Sequence, residues 1–178
     1  SMLNCEIKGT CVLIENTSIV SQTLKAKTIT ANIPRTIKII GQYAFAYSEL
    51  LAIFIPSNIT KIGKGAFECG FLERIEFEKN SQLRTIEEEV FFRSSLESIA
   101  IPSHIKQICR NAFVKCYDLG RVEFEPNSEL QKIDERAFSG SSIKSISLSA
   151  HITKIHDNRM HFCKFDKEAF LNKWLYIW

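Results

Sequence analysis

Few side chains in this 178-residue chain are equipped for covalent or acid–base chemistry. The histidines are His104, His151, His156 and His161. His156-Asp157 and His161 come near Cys163 in sequence, which is the nearest approach to a nucleophile beside a base. No nucleophile–base–orienter order emerges from them. The six cysteines are Cys5, Cys11, Cys69, Cys109, Cys116 and Cys163. None is spaced Cys-x-x-Cys, and no Cys/His set has zinc spacing. A Gly-rich phosphate loop is absent. The residues therefore imply no enzyme, no metal site and no cofactor.

A second kind of chemistry is electrostatic. Lys38, Lys61, Arg84, Lys106, Lys132 and Lys154 recur at a regular pitch. Stacked at strand spacing, about 5 Å apart, they form a row that attracts polyanions. Its reach in physiological salt is about 8 Å. A sulfated glycan or an acidic protein surface fits such a row. The plainer alternative is lysine guarding exposed strand edges against aggregation. The cations fall at either of two adjacent positions, and neighbours on a strand face opposite sides, so the row can divide into two half-rows. The net charge of +3 gives no argument for nucleic acid.

The elements that position these residues are repeats. Phe45, Phe67, Phe91, Phe113 and Phe138 follow one another at intervals of 22, 24, 22 and 25 residues. All but Phe91, which follows Val90, are preceded by Ala, and Arg159-Met160 is a degenerate last copy. A period in this range means a solenoid or array. Each unit reads Leu-x-x-Ile-x-Phe/Ile, a short turn, and Ile-x-x-Ile-Gly-x-x-Ala-Phe. Ile-x-Phe alternates with period two and predicts a strand. Ala-Phe with Cys or Ser two residues on predicts one helical or 3₁₀ turn packed inward. Gly41 and Gly63 stand where a strand bends into that turn, which suggests positive φ. Cys69 and Cys116 are read as one repeat position, and with Cys109 as small buried apolar residues. Cys5 and Cys11 are able to pair in an oxidising compartment. His104 and His151 share the turn position of Asn58, a surface place. Glu87-Glu88-Glu89 stands near the start of a helical turn, where negative charge is favourable. Ile-Pro joints alternate with longer Glu-x-Asn-Ser joints, and this accounts for the two pitches.

Ile55-Pro56-Ser57-Asn58-Ile59-Thr60-Lys61-Ile62-Gly63-Lys64-Gly65-Ala66-Phe67-Glu68-Cys69 resembles the BspA-type, or Treponema pallidum-type, leucine-rich repeat. Ile101 to Cys116 resembles it nearly as well, and the likeness covers roughly 33 to 163. It implies a right-handed leucine-rich-repeat solenoid of short β-strands with helical or 3₁₀ turns, about six repeats and capped ends. It also implies a non-catalytic interaction domain, since many members are surface or secreted proteins associated with adhesion to host protein or cells. Cys109 and His156 in place of Gly, and Val90 in place of Ala, are departures.

The expected organisation is one structural domain. Residues 1–32 form an N-terminal cap and partial repeat, 33–163 the repeats, and 164–178 an aromatic capping helix. In that helix Phe170, Leu171, Trp174, Leu175 and Trp178 share one face. The alternative is a helix that docks a partner or a second copy, a route to oligomerisation. Ser1-Met2 reads as a cloning remnant, which implies a natural N-terminus elsewhere. No run approaches the roughly 18 apolar residues of a membrane span. Asn16-Thr17-Ser18 and Asn58-Ile59-Thr60 fit the glycosylation acceptor pattern, which is common by chance.

Because the repeats spend their apolar residues on the core, binding residues are sought in what remains. On the strand face these are Phe54, Arg74, Glu76, Arg121 and Glu123, and the basic row is the second candidate. The function expected is adhesion or recognition of host protein or glycan at a cell surface or in secreted form. The alternative is a cytoplasmic scaffold or regulatory module.

Overall fold

The computed structural model describes residues 3–7, 10–15, 18–19, 30–143, 145–146, 152–155 and 164–165, with side chains over 33–143, at 146 and over 152–155. It is a β-solenoid of about five turns. Leu3–Ile7 (β1) and Thr10–Glu15 (β2) make an antiparallel hairpin, and Ser18–Ile19 (β3) pairs antiparallel with β2. From β3 onward the described pairings are parallel. Two strand series then alternate along the chain. One consists of Thr30–Asn32 (β4), Ala52–Ile55 (β6), Arg74–Phe77 (β8), Ser98–Ile101 (β10), Arg121–Phe124 (β12), Ser145–Ile146 (β14) and Lys164–Phe165 (β16). The other is Ile39–Ile40 (β5), Lys61–Ile62 (β7), Thr85–Ile86 (β9), Gln107–Ile108 (β11), Lys132–Ile133 (β13) and Lys154–Ile155 (β15).

Alternation puts Ile53 and Ile55 of β6 inside and leaves Phe54 out. The equivalent apolar positions of the repeats meet in one core, from Ile33 to Ile155, with Phe77 and Phe124 partly buried against it. Its spine is a column of rings. Phe45, Phe67, Phe91, Phe113 and Phe138 stack face to face, with centroids 5.4, 5.6, 5.0 and 5.1 Å apart. Each such contact adds about 0.5–1.5 kcal/mol beyond area burial.

The Ala-Phe segments are not helical, and this corrects the expected turn. Each is a run of tight turns whose amide N–H groups alternate in direction. Ala66 and Glu68 N–H donate back to Gly63 and Gly65 C=O. Gly65, Phe67 and Cys69 N–H donate forward to Glu88, Val90 and Phe92 C=O of the next repeat. A helix would keep all these bonds within its own segment; here half of them join neighbouring repeats. The alternation requires left-handed residues four apart, such as Gly65 and Cys69, Glu89 and Arg93, or Asn111 and Lys115. The run Glu87-Glu88-Glu89 therefore caps no helix. Glu88 and Glu89 instead face Lys64 of the preceding repeat, at 3.6 and 3.2 Å.

Gly41 and Gly63 do not have positive φ; among the described glycines only Gly65 and Gly140 do. Gly63 is required by close approach, because a Cβ there would lie 2.8 Å from Gln42 N and 3.0 Å from Gly41 C. The cysteines also separate. Cys69 stands two residues after Phe67 and Cys116 three after Phe113, so they are not equivalent. Cys116 joins Ser48, Gly70 and Ser94 in a column of small buried residues, whereas Cys69 and Cys109 are partly exposed. Burial pushes the Cys109 and Cys116 thiols up to about 11.

The longer joints have their own construction. Asn80 and Asn127 take positive φ, and buried Ser81 and Ser128 accept from the Leu83 and Leu130 N–H. Glu78 and Glu125 accept from the Ser57 and Ser103 N–H at 2.7 and 2.9 Å. Beyond the first of these joints the sheet is interrupted. β8 and β10 are neighbours without ladder pairing, and β7 and β9 likewise belong to separate sheets. The turn layer continues across the step.

Candidate interaction surface on the strand face

The outward positions of β6, β8, β10 and β12 form two rows. Register aligns Ala52 with Arg74 and Phe54 with Glu76; farther along, Ser98 aligns with Arg121 and Ala100 with Glu123. Arg74 donates through Nε to Glu76 Oε1 at 2.8 Å and through Nη2 to the same oxygen. Arg121 Nε lies 3.5 Å from Glu123 Oε1. Both arginines are extended along their strands beside their own carboxylates. Between them β10 presents the small Ser98 and Ala100. The result is an open hollow of about 200 Å³, walled by Arg74, Glu76, Arg121 and Glu123, with Ile75 and Ile99 beneath. It coincides with the unpaired step between β8 and β10.

Four of the five strand-face residues singled out from the sequence thus come together. Phe54 is exposed but stands one strand away and does not line the hollow. Ser98 and Ala100 were not singled out. Their signal is smallness at row positions where the flanking repeats carry Arg and Glu.

The basic row is divided by the fold. Lys61, Lys132 and Lys154 begin their strands, while Lys38, Arg84 and Lys106 precede theirs. Register accordingly sets Lys61 beside Ile39, and Lys132 between Gln107 and Lys154. Carboxylates also engage part of it. Lys132 Nζ is 2.7 Å from Asp134, which also accepts from Gln107, and Lys106 Nζ is 3.6 Å from Glu129. Lys38, Lys61, Arg84 and Lys154 have no ion pair among the described residues. His104 Nδ1 lies 2.7 Å from Glu129, and this contact holds the Glu129 carboxyl below its usual range.

Other candidates are accounted for structurally. Asn58 Nδ2 donates to the Arg35 C=O at 2.8 Å and to the Ile37 C=O, so the nitrogen that would carry a glycan ties down a turn. Among the described residues no group of three or more His, Cys, Asp or Glu could hold a metal. Cys5 faces Val12 and Cys11 faces Glu6, so those cysteines are not cross-strand partners. Asn16, His151, His156, His161, Cys163 and residues 166–178 of the expected helix lie outside the described residues. No described helix is long and apolar enough to cross a membrane.

The description of the BspA-type leucine-rich repeat region, in six copies, matches residues 3–120 and 84–176. The chain belongs to this family. A search of the curated proteins returned no match. Among solved structures, this BspA-type chain is similar to the pneumococcal vaccine antigen PcpA, at 23% identity and a TM-score of 0.72, over 93% of this chain and 48% of that one. A leucine-rich cell surface protein from Faecalibacterium prausnitzii is 27% identical, with a TM-score of 0.63, over 87% of this chain and 39% of that one. The leucine-rich repeat protein of T. pallidum is 24% identical, with a TM-score of 0.66, over 81% and 70%. The chain spans about half the length of the first and less of the second. The likenesses to PcpA and to the T. pallidum protein show the fold alone.

Proposed function

We propose that this BspA-type domain is a non-catalytic interaction module, serving adhesion or recognition of host protein or glycan at a cell surface. The observation that carries the reading is the strand face. It is exposed and free of core duty, and it holds a hollow walled by two Arg–Glu pairs. Such a face binds by many weak contacts with little ordering cost, because its frame is rigid before the ligand arrives. The surface location draws support from the Faecalibacterium protein, whose name places it at the cell surface. We set binding on this face rather than on the basic row, which is split and partly neutralised by Asp134 and Glu129.

The test is a binding screen of the purified domain against matrix proteins and glycans, run beside Arg74→Glu/Arg121→Glu and Lys61→Glu/Arg84→Glu. The first pair is expected to abolish capture and the second to leave it largely intact. Capture that survives the first and fails with the second moves the site to the basic row; no capture at all refutes the reading.

A second reading, an intracellular scaffold, is favoured by one observation. The three cysteines with described side chains, Cys69, Cys109 and Cys116, are unpaired. Thiol titration of protein unfolded without reductant separates the two: six free thiols support the scaffold, and disulfides support the surface.

A further inference from the structure

We infer that the hollow over β10 receives a single aromatic side chain of a protein ligand, held between the guanidiniums of Arg74 and Arg121. The inference rests on the interaction-module reading and names what the strand face recognises.

Size comes first. The hollow measures about 200 Å³, below the roughly 300–1,000 Å³ of pockets that enclose small molecules. It has room for one side chain on a larger partner. Flanking charge comes next. Arg74 on β8 and Arg121 on β12 stand on either side of β10, and both line the hollow. A ring seated between them meets a guanidinium on each side, and a cation within roughly 6 Å attracts a ring face. A planar guanidinium stacks on aromatic faces, and one already fixed by a carboxylate loses little freedom in doing so. Glu76 fixes Arg74 by hydrogen bonds to one of its oxygens, and Glu123 lies 3.5 Å from Arg121 Nε. The floor is suited to a ring, because Ala100 offers a methyl group and Ile75 and Ile99 lie beneath. Hot spots of protein interfaces are enriched in Trp, Tyr and Arg.

Charge decides against an acidic anchor. Each arginine already has its own carboxylate, so an entering acid would compete with Glu76 and Glu123. A neutral ring adds a contact without displacing one.

The test is NMR titration of the ¹⁵N-labelled domain with N-acetyl-tyrosinamide, N-acetyl-leucinamide and N-acetylglucosamine. Tyrosinamide is expected to shift the Ser98, Ile99 and Ala100 amides and the Arg74 and Arg121 Nε–H signals, and to bind more tightly than either of the others. Arg74→Gln/Arg121→Gln should weaken it about fivefold or more, through loss of two exposed cation–π contacts. Ala100→Leu, which fills the hollow at an exposed position, should abolish the shifts. Unchanged melting of both variants would show that the fold persists. Equal or tighter binding of leucinamide or the sugar, or shifts that survive Ala100→Leu, overturns the inference. Capture of a matrix protein without any response to tyrosinamide overturns this inference alone; failure of both overturns the interaction reading as well.

Discussion

Replacing Phe91 with Ala tests the column of rings at its centre. Phe91 is fully buried and stacks on two neighbours, Phe67 at 5.6 Å and Phe113 at 5.0 Å. Truncating a core Phe costs about 3–5 kcal/mol through lost transfer energy and the cavity left behind. The two ring contacts, at about 0.5–1.5 kcal/mol each, place this site at the upper end, about 5 kcal/mol. Phe138 has one described stacking partner, Phe113 at 5.1 Å, and the same reasoning gives about 3–4 kcal/mol for its truncation. Phe71, 60% exposed, serves as control and should change stability by no more than about 0.5 kcal/mol. The assay is urea unfolding followed by circular dichroism. Because each repeat contacts only its neighbours, a central defect should also broaden the transition as the two halves uncouple. The reasoning fails if Phe91→Ala costs no more than Phe71→Ala, or less than Phe138→Ala.

Three further outcomes are expected. The Glu78 carboxyl is held at about 2 by hydrogen bonds from Arg35 and from the Ser57 amide; its ordinary value is higher, so its stabilisation is present above pH 4.5 and lost as pH falls toward 2, and Glu78→Gln should flatten the acid limb of a stability–pH curve. Gly63→Ala sets a methyl group against the backbone of the preceding repeat and should cost about 1–3 kcal/mol by thermal melting, whereas Gly120→Ala, whose Cβ would meet the Asp118 C=O at an ordinary 3.9 Å, should cost less than about 0.5 kcal/mol. Thiol labelling of native protein at pH 8 should leave Cys116 unmodified until unfolding, while partly exposed Cys69 reacts earlier; equal rates would contradict the burial of Cys116.

Much of the core was legible in the chain. Ile37, Ile40, Leu50, Ile53, Phe67 and their counterparts were assigned inward from spacing alone, and they are buried. The turn layer was not. Positive φ usually announces itself through Gly or Asn, but here Tyr43, Glu89, Arg93, Lys115 and Arg136 adopt it. Each carries a local cost of roughly 1–2 kcal/mol, offset by amide bonds to a neighbouring repeat that no single-repeat pattern displays. Cys69 and Cys116 illustrate the same limit, since a shift of one residue in such a turn exchanges inside for outside.

The binding face divides along similar lines. Alternation by itself determined that Arg74, Glu76, Arg121 and Glu123 point away from the core, because side chains on a strand alternate between faces. It also determined the solenoid, because a unit of this length cannot bury its apolar side alone. Only the tertiary structure decided which repeats lie in register, and so which residues are neighbours. Stacking set Ser98 and Ala100 beside Arg121 and Glu123, left the step between β8 and β10 unpaired, and bore out the division of the lysines that their two adjacent positions implied. The physical reason is distance. Contacts within a strand follow from local geometry, whereas those across repeats depend on stacking offsets set by joints 22 to 25 residues apart.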